Sequence, residues 1–402
     1  MPREPNPRVA RLTLASLASA LLIGCETGER QVVVVTDSAG VRLIDIARDQ
    51  LPVQHVDSTP DLIIGAGTAF GGLEFYGIRT LTVLRDSTIV VSDRDQQIIQ
   101  IDPVTGSIAR MGGAGDGPLE FRNLAEILET PDGHLLVIDQ GRRRIVELTR
   151  DGDILGESRF PPIGSPGAQP RILQAGRARL ETLHVAEVPG FGRSSSGPLR
   201  GVGAVLSLAD PSDTLVTFRG PALFVNRGAA GGVVFGATTL FAGAEEGIWI
   251  GDTEAQRVEL WSPEPELTAV VRWSAGSSRK LTADRIVQFW SRLEDGAPPD
   301  QRAAIPEMKT ILPFADSIPA FAELLASPSH VWIRSVVHPE VELLDLPTPP
   351  QEWLVVDYRT GTSRRLMMPA GFTLWFATPD YVLGVHRDEL GIETIRRYGL
   401  PT

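Results

Sequence analysis

The residues that could do chemistry in this sequence are few and far apart. His184 lies within an apolar run, and Arg193 lies in a Gly- and Ser-rich stretch where a guanidinium could hold an anion. Arg334 follows an apolar run that contains a tryptophan, and His386 and Asp388 belong to a dense polar cluster. Such side chains can bind an anion, hydrogen-bond a ligand or hold a metal ion. They are the candidate binding residues of this sequence.

Each candidate also fits a purely structural position. With the period of two of a strand, His184 and Ala186 share one face and Glu187 lies opposite, which disfavours a metal pair. The other candidates fit a long hairpin loop, the rim of a sheet and a turn. The sequence holds no Gly-x-Ser-x-Gly, no His-Glu-x-x-His, no phosphate loop and no Cys/His zinc spacing. It therefore predicts no catalytic residue and leaves any metal ligand unassigned.

The single cysteine ends an N-terminal apolar segment. Three arginines and one acid precede Leu12–Ile23, which suits the core of a signal peptide and is shorter than the roughly 20 residues needed to span a bilayer. The run ends in Leu22-Ile23-Gly24-Cys25, which resembles the lipobox of bacterial lipoproteins. That resemblance implies cleavage before Cys25 and a diacylglycerol on its thiol. We expect a signal peptide over 1–24, a lipidated tether over 25–30 and an extracytoplasmic location.

Composition narrows the choice of partners. Cleavage before Cys25 would leave 378 residues with 35 basic and 49 acidic side chains, a net charge of −14. Such a chain repels nucleic acid phosphates, so we expect no nucleic acid partner. Glu26 stands where an Asp often retains lipoproteins in the inner membrane, which favours the outer membrane. We expect a monomer that meets the membrane through its lipid and binds a protein, peptide or glycan.

The rest of the chain consists of repeats. Leu73-Glu74-Phe75 recurs 46 residues later as Leu119-Glu120-Phe121, and Val91-Ser92-Asp93 recurs as Val137-Ile138-Asp139. A repeat of about 40–50 residues with several short strands is typical of a propeller blade. Six blades are predicted, over 76–111, 122–160, 171–218, 236–273, 326–368 and 371–399.

A residue that recurs in every repeat usually has a structural role in the repeat. Asp93, Asp139 and Asp252 each follow an apolar strand-like run, so we predict that they accept backbone N–H bonds at strand ends. The last predicted blade has few strands. Gln31–Thr36 with Val41–Ile46 could complete it, because pairing N- and C-terminal strands in one blade removes an exposed edge. The predicted fold is an all-β, six-bladed propeller over 31–402 with this N-terminal closure.

One region departs from the strand pattern. After Thr282, the residues Ile286, Phe289 and Leu293 follow the spacing of a helix, and Thr282 suits the N-cap. A helical insertion is therefore predicted over about 279–325. A second short helix is predicted near Pro319 to Leu325.

The second repeat carries a family resemblance. Its Gly-rich opening over 112–117, Phe121, Val137-Ile138-Asp139, Arg144-Ile145 and Asp151-Gly152 resemble the NHL repeat. The wider chain, with its ending Tyr381-Val-Leu-Gly-Val-His-Arg-Asp-Glu389, looks like the six-bladed propeller lipoproteins of environmental bacteria. The resemblance covers nearly all of the chain after Cys25 and implies an architecture. It implies little about function, because propellers host many functions.

Two functional interpretations remain open. The first is a binding or scaffold module, anchored to a membrane and acting without a cofactor. The second is a metal-dependent hydrolase or lyase, because some six-bladed propellers, such as gluconolactonase-like families, hold Ca²⁺ or Zn²⁺ in the central channel. That chemistry needs carboxylate, amide or imidazole groups from several inner strands to converge on one ion.

Overall fold

The computed structural model describes most of the chain after residue 31. The described residues are 32–65, 67–68, 70, 72–75, 77–159, 172–175, 178–187, 197–207, 214–226, 229–274, 279–335, 339, 341 and 348–401. The predicted lipidation site Cys25 and the candidate Arg193 lie outside them. Strands dominate the described part, and they form six sheets, numbered below in chain order.

Four short strands come first, and then the first three sheets. The four strands are β1 (Val33–Ser38), β2 (Val41–Ile46), β3 (Val53–His55) and β4 (Leu62–Ile64). The first sheet contains β5 (Thr80–Val83), β6 (Ile89–Ser92), β7 (Gln97–Ile101), β8 (Ile108–Ala114) and β9 (Glu120–Phe121). The second contains β10 (Leu124–Glu129), β11 (Leu135–Asp139), β12 (Arg144–Leu148) and β13 (Ile154–Arg159). The third contains β14 (Ile172–Ala175), β15 (Ala178–Glu187), β16 (Gly197–Ser207), β17 (Thr214–Asn226) and β18 (Ala229–Gly232).

The other three sheets each gain strands from the N-terminal segment. The fourth contains β19 (Thr239–Ala244), β20 (Gly247–Asp252), β21 (Arg257–Trp261) and β22 (Leu267–Trp273), joined by β2 and β1. The fifth contains β23 (Glu323–Ser327), β24 (His330–Arg334), β25 (Gln351–Asp357) and β26 (Ser363–Met368), joined by β3. The sixth contains β27 (Phe372–Ala377), β28 (Tyr381–Arg387) and β29 (Glu393–Gly399), joined by β4.

The sheets are arranged as a β-propeller. Within each sheet, strands that follow one another in the chain run antiparallel, apart from β9, and the added strands β2 and β3 pair in parallel. From the third sheet through the fourth, fifth, sixth and first to the second, the first strands of successive sheets lie side by side. The first strands of the first, second, fourth, fifth and sixth sheets line a single channel. We call the face where these first strands begin the top face. Sheets set around a channel in this way have both faces buried against neighbours, which explains the nearly unbroken apolar runs of their strands.

Equivalent turns follow the third strands of the first and fifth sheets. Asp102 accepts the backbone N–H of the residues two and three positions further on, at 2.8 and 3.2 Å. Asp357 does the same at 2.8 and 3.1 Å. Gly106 and Gly361 end these turns at φ of +75° and +85°, a conformation that glycine adopts without steric cost. The equal spacing from aspartate to glycine therefore reflects the same turn geometry in both sheets.

The N-terminal strands differ from the prediction. The segment Val41–Ile46 does not complete the sixth sheet; it pairs in parallel with Leu267–Trp273 of the fourth. Its Ile44 and Ile46 are buried in the core between the fourth and fifth sheets, which accounts for this choice of partner. The sixth sheet is instead completed by Leu62–Ile64, which pairs antiparallel with β29.

An ion-paired turn fastens this N-terminal segment to the fifth sheet. The guanidinium of Arg48 contacts Glu352, and Arg365 donates to the same carboxylate at 2.7 Å. Burial alone would raise the pKa of Glu352, but the hydrogen bonds from Arg365 and Arg48 outweigh it and hold the pKa below its usual value. We call Val33–Ile64 the strap, because it runs along the outer edges of three successive sheets.

The helical insertion lies between the fourth and fifth sheets, as predicted. It contains α1 (Ala283–Gly296), α2 (Pro299–Arg302) and α3 (Ile305–Ile311). Thr282 caps α1 by accepting the N–H of Arg285, and Phe289 and Leu293 pack on Val234 and Phe235 near the third sheet. The helix predicted near Pro319 to Leu325 is wrong, because Glu323–Ser327 is a strand whose Leu324 packs in the sheet core. In the part of the chain that the structure describes, no helix is both long and apolar enough to cross a membrane.

The role of β4 in the sixth sheet can be tested with two neighbouring isoleucines. Ile64 is fully buried against Leu383 and Ile395, whereas Ile63 on the opposite face is 38% exposed. We expect Ile64→Ala to lower the free energy of unfolding by about 2–4 kcal/mol and Ile63→Ala by less than about 1 kcal/mol. Chemical denaturation measures both. Equal losses in the two variants would show that β4 does not close the sixth sheet.

Candidate functional site

The central channel is a concave site in the described part of the propeller. Its volume is about 540 Å³, within the range of about 300–1,000 Å³ that is typical of ligand sites. Its polar wall residues include Arg79, Thr82, Glu126, Gln140, Glu323 and Thr373. Its apolar wall residues include Leu128, Leu240, Leu325 and Trp375. A wall that mixes hydrogen-bonding groups with apolar surface suits an organic ligand that carries both.

Arg334 lies beside this channel and is neutralised by an ion pair. It ends β24 directly opposite Glu323 on β23, and its Nε lies 2.7 Å from Glu323 Oε2. Arg334 is only 8% exposed, so the pair places a charged group at the inner end of the fifth sheet without a net charge. Glu323 itself lines the channel, which connects the sequence candidate Arg334 to the cavity.

Arg334 and His386 occupy equivalent positions in the fold. Each lies on the second strand of its sheet opposite the first residue of the first strand, as Asp139 and Asp252 do in the second and fourth sheets. Asp139 accepts three backbone N–H groups from the neighbouring loops, which confirms the structural role predicted for it. Asp252 likewise accepts the N–H of Glu254. In the fifth and sixth sheets this position is therefore free of the capping aspartate and carries a different side chain.

His386 is half-buried and lacks a hydrogen bond on one nitrogen. Its Nδ1 is buried and has no partner among the described residues. Burial lowers the pKa of His386, and the nearby Arg396 lowers it further, so the imidazole is neutral at pH 7. A neutral imidazole both donates and accepts hydrogen bonds.

Two further candidates, Asp388 and His184, lie in a turn and in a strand. Asp388 accepts the backbone N–H of Leu390 and Ile392 at 2.9 and 2.8 Å, which is a turn-capping role. His184 lies in β15, where its backbone pairs opposite Val205 of β16. Asp388 is not among the described residues that line the channel.

The fifth and sixth sheets pack through a largely apolar surface that we call the seam. Trp353 and Leu366 of the fifth sheet contact Phe372 and Tyr398 of the sixth within one buried cluster. Residues directly paired across strands share a face. Arg334 pairs with Trp353 and therefore faces the seam.

The strand pairing also shows which other polar residues face the seam. His386 pairs with Phe372, Gln351 pairs with Met368, and Gln54 of the strap pairs with Leu366. Because Phe372, Met368 and Leu366 belong to the seam cluster, their polar partners face the seam as well.

Several buried polar atoms of the seam have no partner among the described residues. They are Gln54 Oε1, Thr348 Oγ1, Gln351 Oε1, Trp353 Nε1 and His386 Nδ1. Leaving one such group unsatisfied costs about 1–3 kcal/mol, so five together would cost about as much as the whole stability of a domain. Groups of this kind are normally satisfied by ordered water or a ligand. Sequence reasoning missed Gln351 and Trp353, because only the packing of two sheets shows that they are buried together.

The channel does not show the ligand set of a metal centre. Among the described residues, no group of three or more His, Cys, Asp or Glu side chains is placed to hold a metal ion.

The comparisons with known proteins establish the fold and no function. No family model and no curated protein matches the chain. A candidate exported protein from Bacteroides fragilis NCTC 9343 aligns with TM-score 0.50 and 10% identity over 90% of this chain and 99% of that one. A member of the DUF4221 family from Bacteroides vulgatus ATCC 8482 aligns with TM-score 0.45 and 8% identity over 85% and 98%. A gluconolactonase from Xanthomonas campestris aligns with TM-score 0.39 and 12% identity over 87% and 98%.

The unpartnered His386 makes a testable contribution to stability. The lowered pKa means that the unfolded state binds a proton more readily than the folded state below the ordinary pKa of 6.5. Stability is therefore complete above pH 6.5 and falls as the pH drops towards the depressed folded-state value. We expect His386→Gln to reduce the loss of unfolding free energy between pH 7.5 and pH 5.5.

His330 provides the companion variant. Burial lowers its pKa too, so the double variant His330→Gln, His386→Gln should lose still less stability over the same interval. Urea denaturation at four pH values measures the slopes. An unchanged slope in both variants would contradict the assignment.

Proposed function

We propose that this protein is a lipid-anchored, extracytoplasmic six-bladed β-propeller that binds a ligand through its central channel. The partner is a protein segment, peptide or glycan, and the protein acts as a monomer without a cofactor or nucleic acid. The observation that carries the proposal is the 540 Å³ channel with a mixed polar and apolar wall.

The six-bladed ring is supported by the arrangement of the sheets. Six sheets follow in chain order, and the first strands of five of them line one cavity. The sixth sheet combines the strap strand Leu62–Ile64 with the C-terminal strands. A blade made from both ends of the chain holds a ring together, because the sheets on either side of the junction cannot separate without breaking it.

A binding role is supported by the wall chemistry of the channel. Trp375 presents an indole whose Nε1 is buried and has no partner among the described residues. An aromatic ring offers a broad contact surface, and its N–H can donate one directional hydrogen bond. Leu325 supplies apolar surface nearby, and Thr373 supplies a hydroxyl. Such a wall fixes a ligand by a few polar contacts within an apolar site.

The anchor is supported by the sequence around Cys25. Two or three acyl chains on this residue would give a near-permanent attachment, since each buried CH₂ contributes roughly 0.8 kcal/mol. The tether over 25–30 is short, which favours a ligand near the membrane surface.

The anchor is tested by Cys25→Ser in the full-length chain. The wild-type protein should incorporate labelled palmitate and fractionate with membranes, with the outer membrane preferred. The variant should lose the label and move to the soluble extracytoplasmic fraction. If the variant stays with the membranes, attachment does not depend on Cys25.

The channel is tested by one substitution made in two places. Ala326 lines the channel, and Ala109 is exposed on the outer strand β8. Thermal shift and calorimetry against libraries of 12-residue peptides and neutral oligosaccharides would first identify the compounds that bind the mature chain. We expect Ala326→Phe to weaken their binding at least tenfold, because it fills the channel, and Ala109→Phe to change it less than twofold. Equal affinities in all three proteins would place the ligand outside the channel.

A further inference from the structure

We propose that the seam between the fifth and sixth sheets is a binding subsite for the hydroxyl groups of a neutral carbohydrate. This inference rests on the proposed function, because it names the ligand chemistry of the same channel. It starts from the buried polar atoms of the seam that have no partner among the described residues.

A backbone hydrogen bond, a close approach and the strand register link four of these residues into one neighbourhood. The backbone N–H of Gly371 donates to Thr348 O at 2.6 Å. The same glycine is so close to His386 that an added Cβ would lie 3.0 Å from His386 Nε2. Gln351 begins β25 three residues after Thr348, and Trp353 lies two residues further on the same face. The unpartnered atoms of Thr348, Gln351, Trp353 and His386 therefore lie at the top end of the seam, and Gln54, opposite Leu366 on the outermost strand, lies further out on the same face.

The burial of these groups excludes bulk solvent as their partner. Gln351 is 2% exposed and Trp353 is fully buried. The neighbouring Trp332 shows the usual outcome, since its Nε1 donates to Ser327 Oγ at 3.3 Å within the protein. Gln351 Oε1 and Trp353 Nε1 have no such partner among the described residues, so ordered water or a bound guest molecule satisfies them.

The required guest both donates and accepts hydrogen bonds. Gln54 Oε1 and Gln351 Oε1 need donors, whereas Trp353 Nε1 needs an acceptor. His386 Nδ1 and Thr348 Oγ1 can act with either kind of group. A hydroxyl group meets all of these needs at once. Hydroxyls come from internal water or from a carbohydrate, and the experiment below separates the two sources.

The charges of the seam agree with a neutral guest. Arg334 is paired with Glu323 at 2.7 Å, and their charges cancel. Arg396 faces the seam opposite Gly384 and donates to Thr394 Oγ1 at 3.1 Å. A guanidinium of this kind can also donate to a sugar hydroxyl.

The seam is continuous with the channel. Leu374 belongs to the buried seam cluster and also lines the channel, and Glu323 lines the channel while pairing with Arg334. Trp375 adds an aromatic ring and an unpartnered N–H on the channel side. A sugar bound at the channel wall beside Leu374 could therefore place hydroxyls into the top end of the seam.

Two buried glutamines provide the test. Gln351→Met and Gln100→Met are the same near-isosteric change, but the Gln100 amide donates to Arg150 O at 2.7 Å within the protein. The probes are cellohexaose, maltohexaose and mannohexaose, titrated calorimetrically into the mature chain. At least one should bind, Gln351→Met should weaken it at least tenfold, and Gln100→Met less than twofold. Thr348→Val provides a second variant with an expected loss of at least fivefold.

The other outcomes each overturn the inference. Hexasaccharide binding that Gln351→Met and Thr348→Val leave unchanged would remove the subsite. If none of the sugars binds while peptides bind in a manner sensitive to Ala326→Phe, the carbohydrate inference fails and the channel function stands. If no probe of either class binds, both fail. Ordered waters on all five atoms in a crystal structure grown with the hexasaccharides, with no sugar density, would assign the hydroxyls to internal water only.

Discussion

The pairing of Leu62–Ile64 with Glu393–Gly399 is the contact on which the rest of this structure depends. A propeller sheet packs both of its faces on its neighbours, so every sheet needs a sheet on each side. The C-terminal strands alone give the sixth sheet three strands, and the strap supplies the fourth. Ile64 and Ile395 are both fully buried and lie in the cluster that joins the sixth sheet to the first. The pairing therefore stabilises the surface between the sixth and first sheets as well as one edge.

The course of the strap explains why this pairing holds. Before it reaches the sixth sheet, the strap has added Val41–Ile46 to the fourth sheet and Val53–His55 to the fifth. Each addition covers backbone groups that an edge strand would otherwise expose. Val33 pairs with Ile46, which in turn pairs with Trp273 at the top face. The strap therefore begins at the face where the channel strands begin.

Much of the fold can be predicted from the sequence, because the same capping and turn residues recur in several repeats. The aspartates at strand ends, the repeated turn and the helix capped by Thr282 all follow from short-range patterns. The strap is not readable in this way. Leu62–Ile64 is a run of only three residues, too short to show a strand period, and its partner lies more than 330 residues away. The seam was missed for the same reason, since Gln351 is an ordinary residue until two distant sheets meet around it.

The second-strand position that lies opposite the start of the first strand holds a structural residue in one sheet and a residue with an unused hydrogen-bonding atom in another. In the second sheet it holds Asp139, whose carboxylate is fully occupied by backbone N–H groups and by Arg144 at 3.6 Å. A carboxylate used in this way has no capacity left for a ligand. In the sixth sheet the same position holds His386, and its Nδ1 remains unused. A sheet without the capping aspartate must be stabilised by other contacts. The strap supplies such contacts to the fifth and sixth sheets. The capping residue is therefore replaced in two of the sheets that the strap reinforces.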